Sequence, residues 1–410
     1  MIKKILLQFL DRFISRNPRF VFLVLDNAAG RNLFLWKYLR NRPAIFFSYF
    51  RWKPVRGNPK RILILKTDAI GDYLLFRNYL QEISDRFRPE GYKITLGGNL
   101  AWKELAEVLD APFVDDFCWL NRGGMNRKPD AAQQLDFLLQ LNQFSYKFLL
   151  YPNYSREWDA GDFFVPYVPA WQKFAFDGNS INQTSEQHAE ANRFYSDLIE
   201  PEAVGKFDFF RNGELVAYLT GKKSGLKAPF ISRKPQNMVV EGNYAVFFPG
   251  ASLASRRWPK ENFAELAGFI IEDLKYQIVL CGGPGEIELC SWIEKKHKAD
   301  CINMAGKTSL IQFLDVIAGA KLVISNDTSA IHLGAQSGIP SVCLYKGNNY
   351  GRCMPYPKGT IKNLEICMPD RLHAFGPEER IGLFSENDGL EISEISTHQV
   401  WKAIQKLIYN

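Results

Sequence analysis

Four turns in the second half of the sequence carry groups that bind phosphate. The clearest is Asn326-Asp327-Thr328-Ser329, between an apolar run of strand length and the amphipathic segment AIHLGAQ. A helix that starts here has unpaired backbone N–H groups and the positive end of its dipole, both of which attract anions. His332 lies one helical turn after Thr328, so its ring reaches the same place. The alternative is that Thr328 only caps the helix and His332 is a buried histidine without a ligand.

The other three turns add cationic, hydroxyl and carboxylate groups. In PGASLASRR, Ser252 follows a strand, and Arg256 and Arg257 suit a diphosphate because each guanidinium offers forked donors and permanent charge. In CGGPGE, Glu286 opens a helix and could accept hydrogen bonds from ribose hydroxyls. In AGKTSL, Lys307 could face phosphate, although helix capping is the simpler role of this turn. All four turns close strands of one domain, which predicts that they line one edge as a site for the phosphates of a nucleotide.

Asp72 is the candidate catalytic residue. It follows Gly71 after the strand of RILILKTDAIGDYLL, and we predict a helix from Asp72 onward, which places its carboxylate at the rim of the first domain's cleft. A carboxylate there can accept a proton from an attacking hydroxyl. The alternative is that Asp72 only stabilises the helix dipole. Asp68, four residues earlier, either supports Asp72 or forms the turn.

Metal chemistry is not expected from the sequence. It contains no Asp-x-Asp pair and no His/Cys cluster with the spacing of metal ligands. We therefore expect a leaving diphosphate to be neutralised by arginines and a helix start, without a divalent cation.

Apolar runs of strand length alternate with helix-period segments along most of the chain. This alternation predicts parallel sheets covered by helices on both faces, in two domains that meet at a cleft. Residues 155–235 are predicted to be irregular except for one helix near 185–199, and 231–243 resemble an interdomain linker. The predicted domains are an N-terminal extension (1–60), an acceptor domain (61–236) and a donor domain (237–410).

Residues 1–60 have an unusual composition. They hold 13 Lys/Arg against 2 Asp/Glu, a net charge of +11, with 12 aromatic residues, whereas the whole chain carries +7. Basic and aromatic residues together suit an anionic membrane surface. The alternatives are a nucleic-acid partner, which we do not favour, and a helical arm that packs on the body of the protein.

The remaining composition predicts a cytoplasmic protein. The sequence has no apolar stretch of about 18 residues and no evident cleavable signal peptide. Its seven cysteines form no CxxC pair, which indicates a reducing compartment. Together with the basic extension, this predicts residence in the cytoplasm, peripheral on the inner face of the inner membrane.

The sequence resembles glycosyltransferase family 9, the ADP-heptose:lipopolysaccharide heptosyltransferases. The likeness covers roughly residues 61–345 and rests on five ordered motifs: RILILKTDAIGDYLL, PGAS…RRWPKENFAEL, GGPGE, NMAGKTSL and SNDTSAIHLGAQSGIP. It implies an α/β fold of the GT-B type with two Rossmann-like domains facing a central cleft. It also implies inverting transfer without metal or other cofactor, from a nucleotide-sugar donor (ADP-linked) to a lipopolysaccharide-type glycan or glycolipid acceptor.

By motif, the resemblance also assigns roles to individual residues. The base corresponds to Asp72, a donor-phosphate residue to Arg256, the acid near the nucleoside to Glu286, and the phosphate-binding turn to Asp327, Thr328, Ser329 and His332. Two positions depart from the family pattern: Asp68 stands where a small hydroxyl residue is usual, and Ser329 where glycine is common. Two other functions stay open: a nucleotide-sugar epimerase of the same architecture, and a non-catalytic protein that binds a membrane surface.

Overall fold

The computed structural model describes residue 55 and residues 57–123, 127–203, 205–236, 240–382 and 390–409. Nearly all of the 1–60 extension lies outside the described residues, and so do the predictions made for it. Among the described residues, no helix is both long enough and apolar enough to cross a bilayer.

Six parallel strands form the first sheet, in the order β3-β2-β1-β4-β5-β6. Five of the six residues of the first strand are buried, as expected for a parallel strand covered on both faces. The strands are β1 (Arg61–Lys66), β2 (Lys93–Asn99), β3 (Asp116–Leu120), β4 (Tyr146–Tyr151), β5 (Ala170–Phe176) and β6 (Asp197–Ile199). The helices in this half of the chain are α1 (Ile70–Leu74), α2 (Tyr79–Phe87), α3 (Lys103–Leu109), α4 (Ala131–Leu141), α5 (Ser185–Asn192) and α6 (Asp208–Thr220).

The second sheet repeats this plan with strands in the order β12-β11-β10-β7-β8-β9, again all parallel. Its strands are β7 (Tyr244–Phe248), β8 (Gln277–Leu280), β9 (Cys301–Asn303), β10 (Leu322–Asn326), β11 (Ser341–Leu344) and β12 (Leu364–Cys367). Its helices are α7 (Lys260–Phe269), α8 (Ile287–Glu294), α9 (Leu310–Gly319), α10 (Ser329–Gln336), α11 (Pro377–Gly382) and α12 (Thr397–Tyr409). The predicted α/β class with two parallel sheets is confirmed.

Each sheet has one point where the strand order reverses, between β1 and β4 in the first and between β7 and β10 in the second. Helices leave the carboxyl ends of the two adjacent strands in opposite directions at such a point, which opens a crevice for ligands. The polar turns that follow β7 and β10 therefore lie where a doubly wound sheet binds its ligand.

The chain divides into two compact units that do not follow one boundary in the sequence. The first comprises the described residues up to Ala69, Leu80–Pro201 and Tyr218–Gly221; the second comprises Ile70–Tyr79, Glu202–Ala217 and the described residues of Lys222–Asn410. Helix α1 thus belongs to the second unit, although it directly follows the first strand of the first. The predicted boundary between 236 and 237 adjoins residues 237–239, which lie outside the described residues.

Two local predictions were wrong. The helix that carries Asp72 begins at Ile70, two residues earlier than expected. Residues 155–235 are not irregular, because they contain β5, β6 and the thirteen-residue helix α6. The segment AWQKFAF has four exposed or partly exposed residues before three buried ones, which is typical of a strand covered over only part of its length.

Candidate functional site

The Asn326 side chain ties together the ends of the two central strands of the second sheet. Its Nδ2 donates to the carbonyl oxygens of Pro249 (2.8 Å) and Gly250 (3.1 Å), just beyond β7. Its Oδ1 accepts a hydrogen bond from the backbone N–H of Trp258 (3.0 Å). Asn326 is completely buried, so these bonds replace the water that its amide has lost. The turn after β7 and the start of α7 are thereby fixed against the end of β10.

Arg256 and Asp327 meet at this strand end, as their predicted common role requires. The Nη2 of Arg256 donates both to the carboxylate Oδ2 (2.5 Å) and to the carbonyl oxygen (2.6 Å) of Asp327. Both side chains are mostly shielded, at 25% and 13% exposed. Because one nitrogen makes both bonds, the Nε and Nη1 groups of Arg256 have donors to offer an anion.

Thr328 caps α10, the role that the alternative interpretation of this turn gave it. Its Oγ1 accepts a hydrogen bond from the backbone N–H of Ala330 (3.3 Å) and lies 3.0 Å from the Ser325 hydroxyl. Ser329 is the first residue of the helix. The start of this eight-residue helix therefore lies beside Arg256, and backbone amides, a helix dipole and a guanidinium meet at one point.

His332 lies one turn into α10 and is only 3% exposed. Its Nδ1 lies 2.7 Å from the hydroxyl of Tyr356, which also accepts a hydrogen bond from the Gln336 amide (3.2 Å). Burial lowers the pKa of His332, and the charge of Arg256 acts in the same direction, whereas the carboxylates of Asp327 and Asp72 oppose the shift. The ring is therefore neutral near pH 7.

Asp72 joins this group because α1 packs against α10 within the second unit. The packing is close at Gly71: a β-carbon there would lie 3.3 Å from Cδ2 and 3.5 Å from Nε2 of the His332 ring. A larger residue at position 71 would push the imidazole away. Glycine at this position therefore allows the ring and the Asp72 backbone to approach each other.

A second carboxylate and a thiol lie beside Asp72. The Cys353 Sγ is 3.9 Å from Oδ1 of Asp72 and 3.9 Å from Oδ2 of Asp208, which is the first residue of α6. Burial and the two nearby carboxylates raise the pKa of the Cys353 thiol well above its usual value. The thiol therefore keeps its proton and can donate it to a carboxylate.

These three side chains offer one metal-ligand atom each, all within 4.8 Å of one another. The oxygens of Asp208 are, however, bound by two guanidinium groups, Arg352 Nη2 at 2.9 Å and Arg211 Nη1 at 2.7 Å. The positive charge that a cation would bring is already supplied by these arginines. The donor set consequently fits a carboxylate–guanidinium cluster better than a metal centre.

Glu286 reaches the same strand end from the neighbouring turn. Its Cγ lies 2.5 Å from the position that a β-carbon on Gly250 would occupy. Its Oε2 accepts a hydrogen bond from the backbone N–H of Gly283 (2.9 Å), so the carboxylate also caps its own turn. Glu286 therefore lies beside the turn after β7, as predicted, with its other oxygen Oε1 facing Gly250.

Within the described part of the chain, three predicted residues make no side-chain hydrogen bond to the side chains of this group. Ser252 and Arg257 are exposed, and the Arg257 Nε donates to the carbonyl oxygen of Ala251 (2.8 Å). Lys307 is exposed as well, and its Nζ donates back to the carbonyl oxygen of Asn303 (2.7 Å). Asp68, the possible supporting group of Asp72, belongs to the first unit and pairs with Lys66 (2.7 Å).

Sequence reasoning missed several residues of the cluster: Asp208, Arg211, Gln336, Arg352, Cys353 and Tyr356. Asp208 meets Arg352 across 144 positions, and no local pattern links two such segments. One signal was present for Gln336, which follows His332 by four residues and so lies on the same face of the helix.

Comparisons with known proteins show which proteins this chain resembles. Residues 210–372 match the sequence model described as "Glycosyltransferase family 9 (heptosyltransferase)". "Lipopolysaccharide heptosyltransferase 2" of Escherichia coli K12 is 36% identical over 104 residues, which are 24% of this chain and 30% of that protein. "Lipopolysaccharide heptosyltransferase 1" of the same organism is 31% identical over 131 residues, 32% of this chain and 39% of that protein. The chain is thus similar to proteins of glycosyltransferase family 9, and its matches span about a third of these relatives' length.

Solved structures agree with this fold. A family 9 glycosyl transferase from Veillonella parvula superposes with a TM-score of 0.66 at 18% identity, covering 87% of this chain and 99% of that one. E. coli heptosyltransferase WaaC with ADP-2-deoxy-2-fluoro heptose gives a TM-score of 0.60 at 22% identity, covering 84% and 99%. The predicted GT-B type of fold is confirmed, and the predicted cleft stays a prediction.

The contribution of the Asn326 hydrogen bonds can be tested by measuring the stability of the protein. Asn326→Leu keeps the approximate size of the side chain but leaves two carbonyls and one N–H without a partner. We expect the free energy of unfolding in urea to fall by about 2–4 kcal/mol. Asn243→Leu, at an exposed position just before β7, is the control and should change stability little. Equal stability of the wild type and Asn326→Leu would show that this tie is not needed.

Proposed function

We propose that this protein is an inverting, metal-independent glycosyltransferase. It moves a sugar, heptose, from an ADP-linked donor to a glycan acceptor of the lipopolysaccharide type. The relatives named above support the sugar and the acceptor through their names, and a neighbouring structure is titled with an ADP-heptose analogue. The motif positions of the site residues support the reaction.

One observation carries this proposal. The helix that bears Asp72 packs on the helix whose start is formed by Asp327, Thr328 and Ser329, and Arg256 bonds to the same turn. A carboxylate thus lies in the same compact unit as a set of anion-binding groups. A transferase needs both: a base for the attacking hydroxyl and a site for the departing diphosphate.

In the proposed reaction, Asp72 takes the proton of an acceptor hydroxyl. The hydroxyl oxygen attacks the anomeric carbon of the donor on the face opposite the nucleoside diphosphate. The bond between that carbon and the phosphate oxygen breaks, which inverts the configuration. The proton ends on Asp72, and the electron pair of the broken bond leaves with the diphosphate.

Arg256 and the start of α10 then stabilise the charge that develops on the leaving diphosphate. The guanidinium offers forked donors, and the backbone N–H groups of Thr328 and Ser329 add fixed dipoles that need no reorganisation during the reaction. Arg257 and Lys307, both exposed, can add charge when the donor is bound. We assign Ser252 and Glu286 to the nucleoside side of the donor, because they flank the turn after β7.

We assign the acceptor to the first unit, because polar groups gather at the switch point of its sheet. The Nζ of Lys66 donates to Asp68 (2.7 Å) and to the Asn153 side chain (3.0 Å), and joins the ends of β1 and β4. Arg122 donates to the carbonyl oxygen of Thr67 (3.2 Å) in the same turn. The hydroxyl groups of a glycan can replace one partner in such hydrogen bonds.

Replacement of Asp72 tests the base. We expect Asp72→Asn to lower kcat by about 10²–10⁴-fold, the usual contribution of a general base, while the Kd for ADP stays unchanged. Both are measured with ADP-heptose and a lipopolysaccharide-core acceptor. Asp85→Asn, at an exposed position on α2, is the matched control. Wild-type turnover by Asp72→Asn would remove the base assignment, and a new sugar formed from donor alone would instead indicate an epimerase.

Replacement of Arg256 tests nucleotide binding, because the proposed role of Arg256 is to bind the diphosphate and not to accept the proton. We expect Arg256→Gln to weaken ADP binding, measured by calorimetry, by about tenfold or more, because a charge-assisted hydrogen bond contributes roughly 1.5–3 kcal/mol. Lys298→Gln, an exposed cation of the same unit, controls for the loss of charge alone. An unchanged Kd in Arg256→Gln would exclude its role at the phosphates.

We also propose that the protein binds the inner face of the cytoplasmic membrane through its basic extension. Lys60 and Lys93 line a cavity of about 490 Å³ beside the first strand, and Arg61, which also lines it, pairs with Asp116. Its lining contains no acidic side chain. The positive charge of the extension therefore continues onto the described surface, which suits anionic headgroups.

Vesicle binding tests this surface. We expect the full-length protein to sediment with vesicles that contain phosphatidylglycerol, less at high salt, and hardly with pure phosphatidylcholine. Lys60→Glu with Lys93→Glu should weaken sedimentation, whereas Lys298→Glu should not. Salt-independent binding to phosphatidylcholine, or tighter binding to duplex DNA than to the anionic vesicles, would contradict the proposal.

A further inference from the structure

Three buried side chains form a hydrogen-bonded line that ends beside Asp72. The Gln336 Nε2 lies 3.2 Å from the hydroxyl of Tyr356, and this hydroxyl lies 2.7 Å from Nδ1 of His332. All three residues are buried, at 4%, 7% and 3% exposed. The Tyr356 ring also packs on Phe207, with ring centroids 4.7 Å apart. The line is therefore held in place by both hydrogen bonds and packing.

The direction of these bonds sets the position of the proton on His332. An amide N–H can only donate, so the Tyr356 oxygen accepts from Gln336. Burial raises the pKa of the Tyr356 phenol, so that the hydroxyl keeps its proton. That proton then points to Nδ1 of His332, which must be an unprotonated acceptor. A neutral imidazole has one proton, and it is left on Nε2.

The other side of the ring favours the same tautomer. Its Cδ2–Nε2 edge faces Gly71, the residue before Asp72. The charged groups that act on the ring are the carboxylates of Asp72 and Asp327 and the guanidinium of Arg256. The two carboxylates carry more negative charge than the one guanidinium offsets. They therefore favour a proton on Nε2, the ring nitrogen that does not contact Tyr356.

The protonation state of His332 decides how basic its neighbour can be. An imidazolium would pair with Asp72 and make the carboxylate a weaker base. A ring with an unprotonated Nε2 would compete with Asp72 for the proton of the acceptor hydroxyl. A neutral ring with a proton on Nε2 does neither, and it can still donate a hydrogen bond to a substrate oxygen.

We propose that Gln336 and Tyr356 are positioning residues that fix His332 as the neutral Nε2–H tautomer, so that the ring does not compete with Asp72 for the proton of the acceptor hydroxyl. The inference rests on the proposed function for the role of Asp72. The tautomer itself does not depend on that function, since it follows from the three side chains alone.

Nitrogen NMR of the histidine rings measures the tautomer directly. The full-length chain has five histidines, and His332→Gln identifies the signals of His332 by their loss. We expect wild-type His332 to show a protonated Nε2 and a bare Nδ1 at neutral pH. A protonated Nδ1, or two protonated nitrogens, would overturn the proposal.

Gln336→Glu reverses the line without deleting a side chain. A carboxylate at position 336 accepts the Tyr356 proton, the Tyr356 oxygen then accepts from Nδ1–H, and Nε2 becomes bare. We expect the NMR signals to switch and kcat to fall by about tenfold, with little change in the KM for the donor, since one directed hydrogen bond is lost. Gln405→Glu, on an exposed position of α12, is the control for added charge.

Tyr356→Phe provides a second test that keeps the ring on Phe207. Without the hydroxyl, Nδ1 has no fixed donor, so the Nδ1–H tautomer should appear beside the Nε2–H form that the carboxylates still favour, and kcat should fall by up to about tenfold. Should Gln336→Glu fail to fold, this variant gives the same information. Unchanged tautomer signals in Tyr356→Phe would refute the line of hydrogen bonds. A switched tautomer together with full turnover by Asp72→Asn would uphold the line and overturn the assignment of Asp72.

Discussion

The buried Asn326 amide is the interaction on which the candidate site depends. Parallel strands bring their carboxyl ends to one edge of a sheet, but they do not fix the turns that follow. Asn326 does so, since its three hydrogen bonds hold the turn after β7 and the start of α7 against the end of β10. Arg256 lies in the first of these segments and Asp327 follows Asn326 directly. Their ion pair therefore forms between elements that are already held in place.

Arginines compensate the carboxylates of the site. Asp327 pairs with Arg256, and Asp208 pairs with both Arg211 and Arg352. Burial would lower the pKa of Arg352, but the charge of Asp208 more than offsets this and holds that pKa above its usual value. Both Asp327 and Asp208 are thus matched by guanidinium groups, which carry a permanent charge and forked donors.

Much of this architecture could be predicted from the sequence, because its signals are local. Apolar runs such as RILILK indicate buried strands, and Thr328 ahead of an amphipathic segment marks the start of a helix. The same reasoning found Asp72 and the turn at Asp327. It missed Asp208 and Tyr356, because their roles arise from contacts with residues far away in the chain. No local sequence pattern indicates a partner that lies 144 positions away.

The second unit is built from segments that are far apart in the sequence, and this matters for chimeras made between related proteins. Its cluster draws Asp72 and Asp208 from segments that precede position 237, and Arg256, Asp327 and Arg352 from segments that follow it. A chimera joined at that position would inherit the carboxylates from one parent and the guanidinium Arg352 from the other. The two halves would then fit together only if both parents have the same residues at these few positions. A chimera that keeps the cluster of one parent would have to exchange Ile70–Tyr79 and Glu202–Ala217 together with the residues that follow position 237.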